Sequence, residues 1–276
     1  MRKINYRLIV SDFDGTLVSN DGTISMENKN AIARYVADGG AFAISTGRLH
    51  YSILDRARDL GLKGLVACCQ GTIIMDIESG KLVQEPMLSH ETTLALCKKM
   101  EELGLCYQIY DFENYYANNT SAGLRHYERM VGKNAISITD KPLSKFVEER
   151  KMRTYKVLAM VDPKDNERLF NEIDKAGFKD CAVTKSFDYL IEVINVHHNK
   201  GTAVEFLANY YNVPIEKTIA VGDQWNDLPM IEKAGLGIAV QNADSKLKEK
   251  AVVCERTNEE SAIAAIIEKY GYTEEK

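Results

Sequence analysis

With 276 residues, the chain has room for one large or two modest domains and for a full hydrophobic core. Hydrophobic residues make up 45% and charged residues 27%, the balance of a soluble globular protein. The net charge of −5, with no basic block, argues against a nucleic-acid partner and requires that any anionic substrate be drawn by a local positive centre.

The first residues, Met1-Arg2-Lys3-Ile4-Asn5-Tyr6-Arg7, lack the long apolar core of a signal peptide. No later stretch is long and apolar enough to span a bilayer, so the expected location is the cytoplasm, with no membrane partner. The cysteines at 68, 69, 97, 106, 181 and 254 form no C-x-x-C pair and mostly fall in apolar runs. They read as buried free thiols rather than disulfides or zinc ligands. Oligomeric state is not readable from the sequence.

Leu8-Ile9-Val10 predicts a short buried strand that ends at Asp12-Phe13-Asp14-Gly15-Thr16. Ser25 then caps a helix carrying Ile32, Tyr35 and Val36, and Gly39-Gly40 ends it. Ala41-Phe42-Ala43-Ile44 is a second strand, closed by Ser45-Thr46-Gly47-Arg48. A helix through Ile53, Leu54, Ala57 and Leu60 leads to a third run, Leu65 to Cys69. Strand, helix, strand, helix, strand predicts a parallel sheet covered on both faces.

From Thr72 the rhythm changes. A hairpin around Glu78-Ser79-Gly80, a helix from about Ser89 to Leu103, and strands at 107–110, 115–117, 155–161 and 182–184, with a helix at 165–176, show no β-α alternation. The segment 121–144 gives no clear pattern. Alternation resumes at Tyr189, with a helix opened by Lys200-Gly201, a buried strand Thr218-Ile219-Ala220-Val221, a short helix from Leu228, a strand near Gly237 and a last helix over 259–269. The expected fold is α/β: a doubly wound, mostly parallel, Rossmann-like core over 1–84 and 189–276, interrupted by an inserted α+β cap over 85–188.

Ligands of open α/β sheets bind beyond the carboxyl ends of the strands. Three polar clusters follow apolar runs directly: Asp12/Asp14, Ser45/Thr46/Gly47 and Asp223/Asn226/Asp227. If those runs are neighbouring parallel strands, the clusters meet at one edge. Alternate residues of an extended chain share a face, so Asp12 and Asp14 can enter one pocket while Phe13 packs away. Crowded carboxylates with Asn nearby suit Mg²⁺ with oxygen ligands, and no thiol or imidazole cluster for zinc is present. The Ser45-Thr46-Gly47 turn offers an anion cradle, and Lys200 offers positive charge. Phosphoryl transfer needs these parts.

Each part has a plainer reading. Lys200 can be a solvated helix-start lysine, Ser45 a structural turn residue and Asp227 a cap for the helix at Leu228. His197-His198 reads as a polar loop, and Tyr107, Tyr110, Tyr115 and Tyr116 read as strand core and edge as readily as a substrate surface.

Asp12-Phe13-Asp14-Gly15-Thr16, Thr46, Lys200-Gly201 and Gly222-Asp223-Gln224-Trp225-Asn226-Asp227 resemble, in order, the four motifs of the haloacid dehalogenase superfamily of phosphatases. The insert's position and the tail from Met230 to Ala239 are similar to its Cof-type branch, subclass IIB. The resemblance implies a Mg²⁺-dependent phosphatase of small phosphorylated metabolites. Asp12 would attack phosphorus to form an aspartyl-phosphate, and Asp14 would protonate the leaving alcohol and then activate water. Mg²⁺ would be held by Asp12, Asp223 and the backbone carbonyl of Asp14. Thr46, Gly47, Lys200 and Asn226 would hold substrate, with Asp227 orienting that shell. Gln70-Gly71-Thr72 departs from the branch's usual Asn-Gly-Ala, and Trp225 and Pro229 are unusual in the fourth motif. A phosphomutase, a glycosyltransferase using Asp-x-Asp, and a non-catalytic phosphate-binding module remain rival readings.

Overall fold

The computed structural model describes residues 2–273. The chain forms two units, one running to Gln84 and resuming at Asn199, the other spanning Glu85–His198.

In the first unit, β1 (Leu8–Ser11) is wholly buried, as a central strand covered on both faces must be. Truncating Ile9, at 0% exposure, to Ala should cost about 2–5 kcal/mol. The chain then forms α1 (Met26–Ala37), whose amide at Asn28 is capped by the Ser25 hydroxyl, and β2 (Ala41–Ile44). After α2 (Leu54–Asp59) come β3 (Leu65–Cys68), β4 (Ile73–Asp76) and β5 (Leu82–Gln84).

The second unit contains α3 (His90–Glu102), β6 (Cys106–Tyr110), β7 (Tyr115–Ala117), α4 (Ala122–Val131), β8 (Ile136–Ser137), α5 (Leu143–Arg150), β9 (Lys156–Met160), α6 (Asn166–Lys175), β10 (Cys181–Phe187) and β11 (Leu190–Asn195). Its six strands are ordered β10-β11-β9-β6-β7-β8. One sheet face carries Tyr107, Ile109, Val157, Ala159, Ile191 and Val193 into a core with Leu96, Met100, Phe146 and Ile173. By strand alternation the other face carries Gln108, Tyr110, Lys156 and Glu192. Tyr107, Tyr110 and Tyr115 are buried, in keeping with the strand-core reading.

The first unit resumes with α7 (Lys200–Tyr210), β12 (Thr218–Gly222), α8 (Leu228–Lys233), β13 (Leu236–Ala239) and β14 (Val252–Val253). Its main sheet, β14-β13-β12-β1-β2, is parallel throughout. The path from β1 through α1 leads to β2 on one side, and the path from β12 through α8 leads to β13 on the other. Right-handed crossovers in opposite directions put these helices on opposite faces, and the reversal between β1 and β12 leaves a crevice at their carboxyl ends.

Two sequence expectations change. The boundary at 188/189 moves to 198/199, because β11 pairs antiparallel with both β9 and β10. An apolar run of this length looks the same in the middle of an antiparallel sheet as in a parallel one. The third run does not extend the parallel sheet as a full strand: β3 heads an antiparallel β3-β4-β5 sheet and meets β2's extension through a parallel bridge, Ser45 to Ala67. The stretch 121–144 holds α4, β8 and the start of α5, and the last helix is broken into a 3-10 turn at Asn258–Glu260, a short α-helix at Ala262–Ile266 and a π-turn at Ile267–Gly271. Among the described residues no disulfide forms: Cys68, Cys69 and Cys97 are buried and Cys106, Cys181 and Cys254 half-buried. Among the described residues, no helix is long and apolar enough to cross a membrane.

Candidate active site

Asp12 directly follows β1 and Asp223 directly follows β12, so parallel register brings them to the switch point. The chain leaves β1 through Gly15, whose φ of +77° suits glycine, and a Cβ there would fall 2.5 Å from an Asp223 carboxylate oxygen. Thr16 donates its hydroxyl to Asp223 Oδ1 at 2.8 Å, and Gln224 donates to Asp223 Oδ2 at 3.2 Å.

Lys200 enters from the start of α7. That helix is set by Asn199, whose side chain accepts from the amides of Gly201 and Thr202 in a capping box. The Lys200 ammonium, 1% exposed, donates to Asp12 Oδ1 and to Asp227 Oδ1, the latter at 2.5 Å. The plainer reading of a solvated lysine is thereby excluded. Asp227 uses its other oxygen to accept from the amides of Asp223, at 2.8 Å, and Gln224, at 3.0 Å. Its side chain makes no cap bond to the α8 amides; it folds back onto the strand end and braces Asp223.

Oxygen atoms of Asp12, Asp223 and Asp227 lie within 4.8 Å of one another. Burial pushes the Asp12 carboxyl well up, and Asp227 and Asp223 add to this against the pull of Lys200. Asp223 is pushed up to about 7, first by burial and then by Asp227. Burial alone would lower Lys200, but its two carboxylates outweigh burial and hold it above the usual lysine range. Three carboxylates against one ammonium leave two uncompensated negative charges when all are ionised. A hard divalent cation is the simplest balance for an all-oxygen donor set, so these residues fit Mg²⁺.

The Asp14 side chain lies outside this triad. Its carboxylate forks onto Arg48, with Nε and Nη2 each at 2.7 Å from an oxygen. Arg48 closes the turn after β2, where Thr46 Oγ1 accepts from the Arg48 amide at 3.1 Å. The long reach of Arg48 to Asp14 was not marked by any sequence signal.

The turn after β3, where Gln70-Gly71-Thr72 departs from the branch's usual Asn-Gly-Ala, also takes part. Cys69, Gln70 and Gly71 are all left-handed, with φ of 50°, 61° and 88°. Left-handed backbone costs a non-glycine residue roughly 1–2 kcal/mol. Hydrogen bonds hold it: Cys69 N–H to the Arg48 carbonyl at 2.7 Å, and Gln70 N–H to the Thr46 carbonyl at 2.9 Å. Gly71 is irreplaceable there, since a Cβ would fall 2.4 Å from the Asn199 carbonyl oxygen. Gln70 accepts from Asn226 Nδ2 at 3.0 Å. Two buried polar atoms near these motifs, Ser45 Oγ and Asn226 Oδ1, have no hydrogen-bond partner among the described residues. Such orphans mark a place that a ligand or water completes. His197, by contrast, is exposed in the second unit, 3.6 Å from Asp180.

Comparison with known proteins agrees with this arrangement. The family model of haloacid dehalogenase-like hydrolases matches residues 9–267. The chain is 28% identical to phosphatase YwpJ of Bacillus subtilis, over 94% of this chain and 97% of the relative. It is 27% identical to the 5-amino-6-(5-phospho-D-ribitylamino)uracil phosphatase YwtE of the same organism, over 95% of this chain and 97% of that protein. Among solved structures, a haloacid dehalogenase-like hydrolase from B. subtilis superposes with a TM-score of 0.85 at 25% identity, covering 95% of this chain and 99% of the other. With the family model spanning nearly the whole chain and the acidic cluster seated at the switch point of the matching fold, the chain belongs to the haloacid dehalogenase-like hydrolases.

Proposed function

We propose that the protein is a Mg²⁺-dependent phosphatase that hydrolyses small phosphorylated metabolites through an aspartyl-phosphate on Asp12. The observation that carries this reading is the meeting of Asp12, Asp223, Asp227 and Lys200 at the ends of β1 and β12. Asp12 attacks phosphorus with one carboxylate oxygen while Lys200 steadies that carboxylate and the incoming phosphoryl oxygens. Thr46 and Gly47 supply a hydroxyl and an amide to the same oxygens. Asp14 turns one oxygen from Arg48 to protonate the leaving alcohol, then takes a proton from the water that attacks the aspartyl-phosphate, releasing phosphate and Asp12. Asp12, Asp223 and the Asp14 carbonyl would hold Mg²⁺, which when bound would supply positive charge to the transferring group. Asp227 holds Asp223 and Lys200 in place.

The second unit, Glu85–His198, is proposed to select the substrate. A relative named for a phosphorylated ribitylaminouracil supports phosphorylated cofactor precursors as one substrate class, beside sugar phosphates. Phosphate release should be measured across a panel of such esters with Mg²⁺, for the natural protein and Asp12→Asn. Turnover that survives in Asp12→Asn would remove the nucleophile assignment. Phosphoryl transfer to a second sugar without free phosphate would replace hydrolysis by a mutase, and absence of turnover across the panel would leave a binding module.

A further inference from the structure

We propose that the free edge of β10 is a pairing surface for a second copy of this chain, the two β10 strands meeting antiparallel about Val183.

β10 pairs with β11 alone and forms one edge of its six-stranded sheet. This edge is long: β10 has seven residues, whereas β8, at the opposite edge, has two. Which backbone groups it leaves open follows from the alternation of an antiparallel ladder. Val196 N–H donates to the Asp180 carbonyl, and the register runs on through Ala182 with Ile194 and Thr184 with Glu192. The even-numbered residues therefore turn their N–H and C=O toward β11. The neighbouring ladder agrees, since Val161 N–H donates to the Tyr189 carbonyl and so assigns the odd-numbered residues of β11 to β9. Cys181, Val183 and Lys185 thus point both backbone groups outward, and among the described residues no hydrogen bond takes them up.

Natural edges of this length are guarded by prolines, charges or bulges. β10 has no proline, and its bulge lies beyond Lys185 and leaves 181–185 regular. Its one charged side chain, Lys185, is laid over the Phe170 ring of α6, 4.6 Å from the ring centre, and so does not guard the edge.

The occupant must bring a strand with the same spacing of open groups, and β10 itself has it. In an antiparallel pair two opposed residues exchange both bonds. A two-fold axis at Val183 sets Cys181 against Lys185 of the second copy, Val183 against Val183 and Lys185 against Cys181, so every open group finds a partner. A shift of one residue would set open groups against groups already used by β11. A shift of two brings like charges together: Lys179 falls opposite Lys185 with the axis at Ala182, and Asp180 opposite Asp188 with the axis at Thr184. Hydrogen bonding and charge select one register, and a two-fold contact closes with two copies.

The test is sedimentation equilibrium of the full chain with and without Val183→Pro, together with oxidation of a chain carrying Ala182→Cys and Thr184→Cys. Proline at 183 removes only an outward N–H that β11 does not use. The natural chain should form a concentration-dependent dimer, and Val183→Pro should weaken it tenfold or more. With the axis at Val183, Ala182 faces Thr184 of the second copy as a non-hydrogen-bonded pair, with Cα atoms about 4.5 Å apart and within disulfide reach. The double-cysteine chain should therefore become a covalent dimer on oxidation, while Ala182→Cys or Thr184→Cys alone should crosslink no more than the natural chain. A natural chain that stays monomeric at roughly 100 μM would overturn the proposal and leave the edge to a strand of another protein. A dimer untouched by Val183→Pro, or equal crosslinking in the single and double variants, would overturn it as well. If circular dichroism shows Val183→Pro unfolded, the cysteine variants decide.

Discussion

Lys200 in the first unit and Lys156 in the second are both buried, at 1% and 2% exposure, and both are bonded to carboxylates. Lys156 meets Glu192 at 2.6 Å, with its ammonium 5.0 Å from the centre of the Tyr110 ring. Lys200 meets two aspartates, with Asp223 close behind. Among the described residues, Glu192 belongs to no group of three acids able to hold a metal, whereas Asp12 and Asp227 do. A matched pair closes on itself and leaves nothing for a ligand to do. A cluster with surplus negative charge is stable only with something more, and that surplus separates a site from a strut.

The largest effects should come from breaking the unmatched cluster. Asp12→Asn should lower turnover of any substrate by about four orders of magnitude or more, while its melting temperature holds or rises because one crowded carboxylate loses its charge. Lys200→Met should lower turnover by about 10³-fold or more and also destabilise, since Asp12 and Asp227 are left buried without their cation. An Asp12→Asn protein that is active, or a Lys200→Met protein as stable as the natural one, would break the contrast.

The matched pair should behave differently. Lys156→Met alone leaves Glu192 charged and buried, at a cost of about 3–5 kcal/mol. Lys156→Met with Glu192→Leu should recover most of that, and the folded protein should keep the catalytic rate on a small generic ester. Lys200→Met with Asp227→Leu should recover no activity. Chemical denaturation and single-ester kinetics on the four proteins check this; equal rescue in both units would erase the distinction.

Which of these groups was readable beforehand follows from their range. Asp12 and Asp14 are two apart at a strand end, and Gly15 follows, so local periodicity marks them. Three strand-end clusters could be brought to one rim by topology alone, and they were. The Lys200–Asp12 bond joins residues 188 apart and was reachable only through motif resemblance. In sequence Arg48 reads only as a turn residue, because nothing in Ser45-Thr46-Gly47-Arg48 says where a long flexible side chain goes. Gln70 acts through a left-handed backbone that its sequence does not advertise. The misplaced boundary at β11 has the same origin: Leu190 to Ile194 is apolar enough for either unit, and pairing with β9 and β10 decides.

Arg48 gives a middle-sized test on the same side of the contrast. It holds both oxygens of Asp14, so Arg48→Ala frees the acid but leaves it unaimed. Turnover of an alkyl phosphate, whose leaving group needs a proton, should fall about 10²-fold, and turnover of p-nitrophenyl phosphate, which leaves without one, much less. Equal losses on the two esters, carried by KM, would instead make Arg48 a substrate ligand.

The smallest effect is a pH dependence confined to the unmatched cluster. Asp223 titrates near 7 in the fold against an ordinary value near 4. Between these values the folded chain binds a proton that the unfolded chain has lost, so this group's contribution is full below about pH 4 and disappears as pH rises through about 7. The metal-free protein should accordingly lose stability from this group on going from pH 5.5 to pH 8. A divalent cation competes for the same carboxylate, so the rise in melting temperature caused by Mg²⁺ should be greater at pH 8 than at pH 5.5. In Asp223→Asn that pH dependence should flatten, and in Lys156→Met with Glu192→Leu it should remain. A Mg²⁺ effect equal at both pH values, or one altered by the Lys156 pair, would show that the surplus charge on this cluster is not what binds the cation.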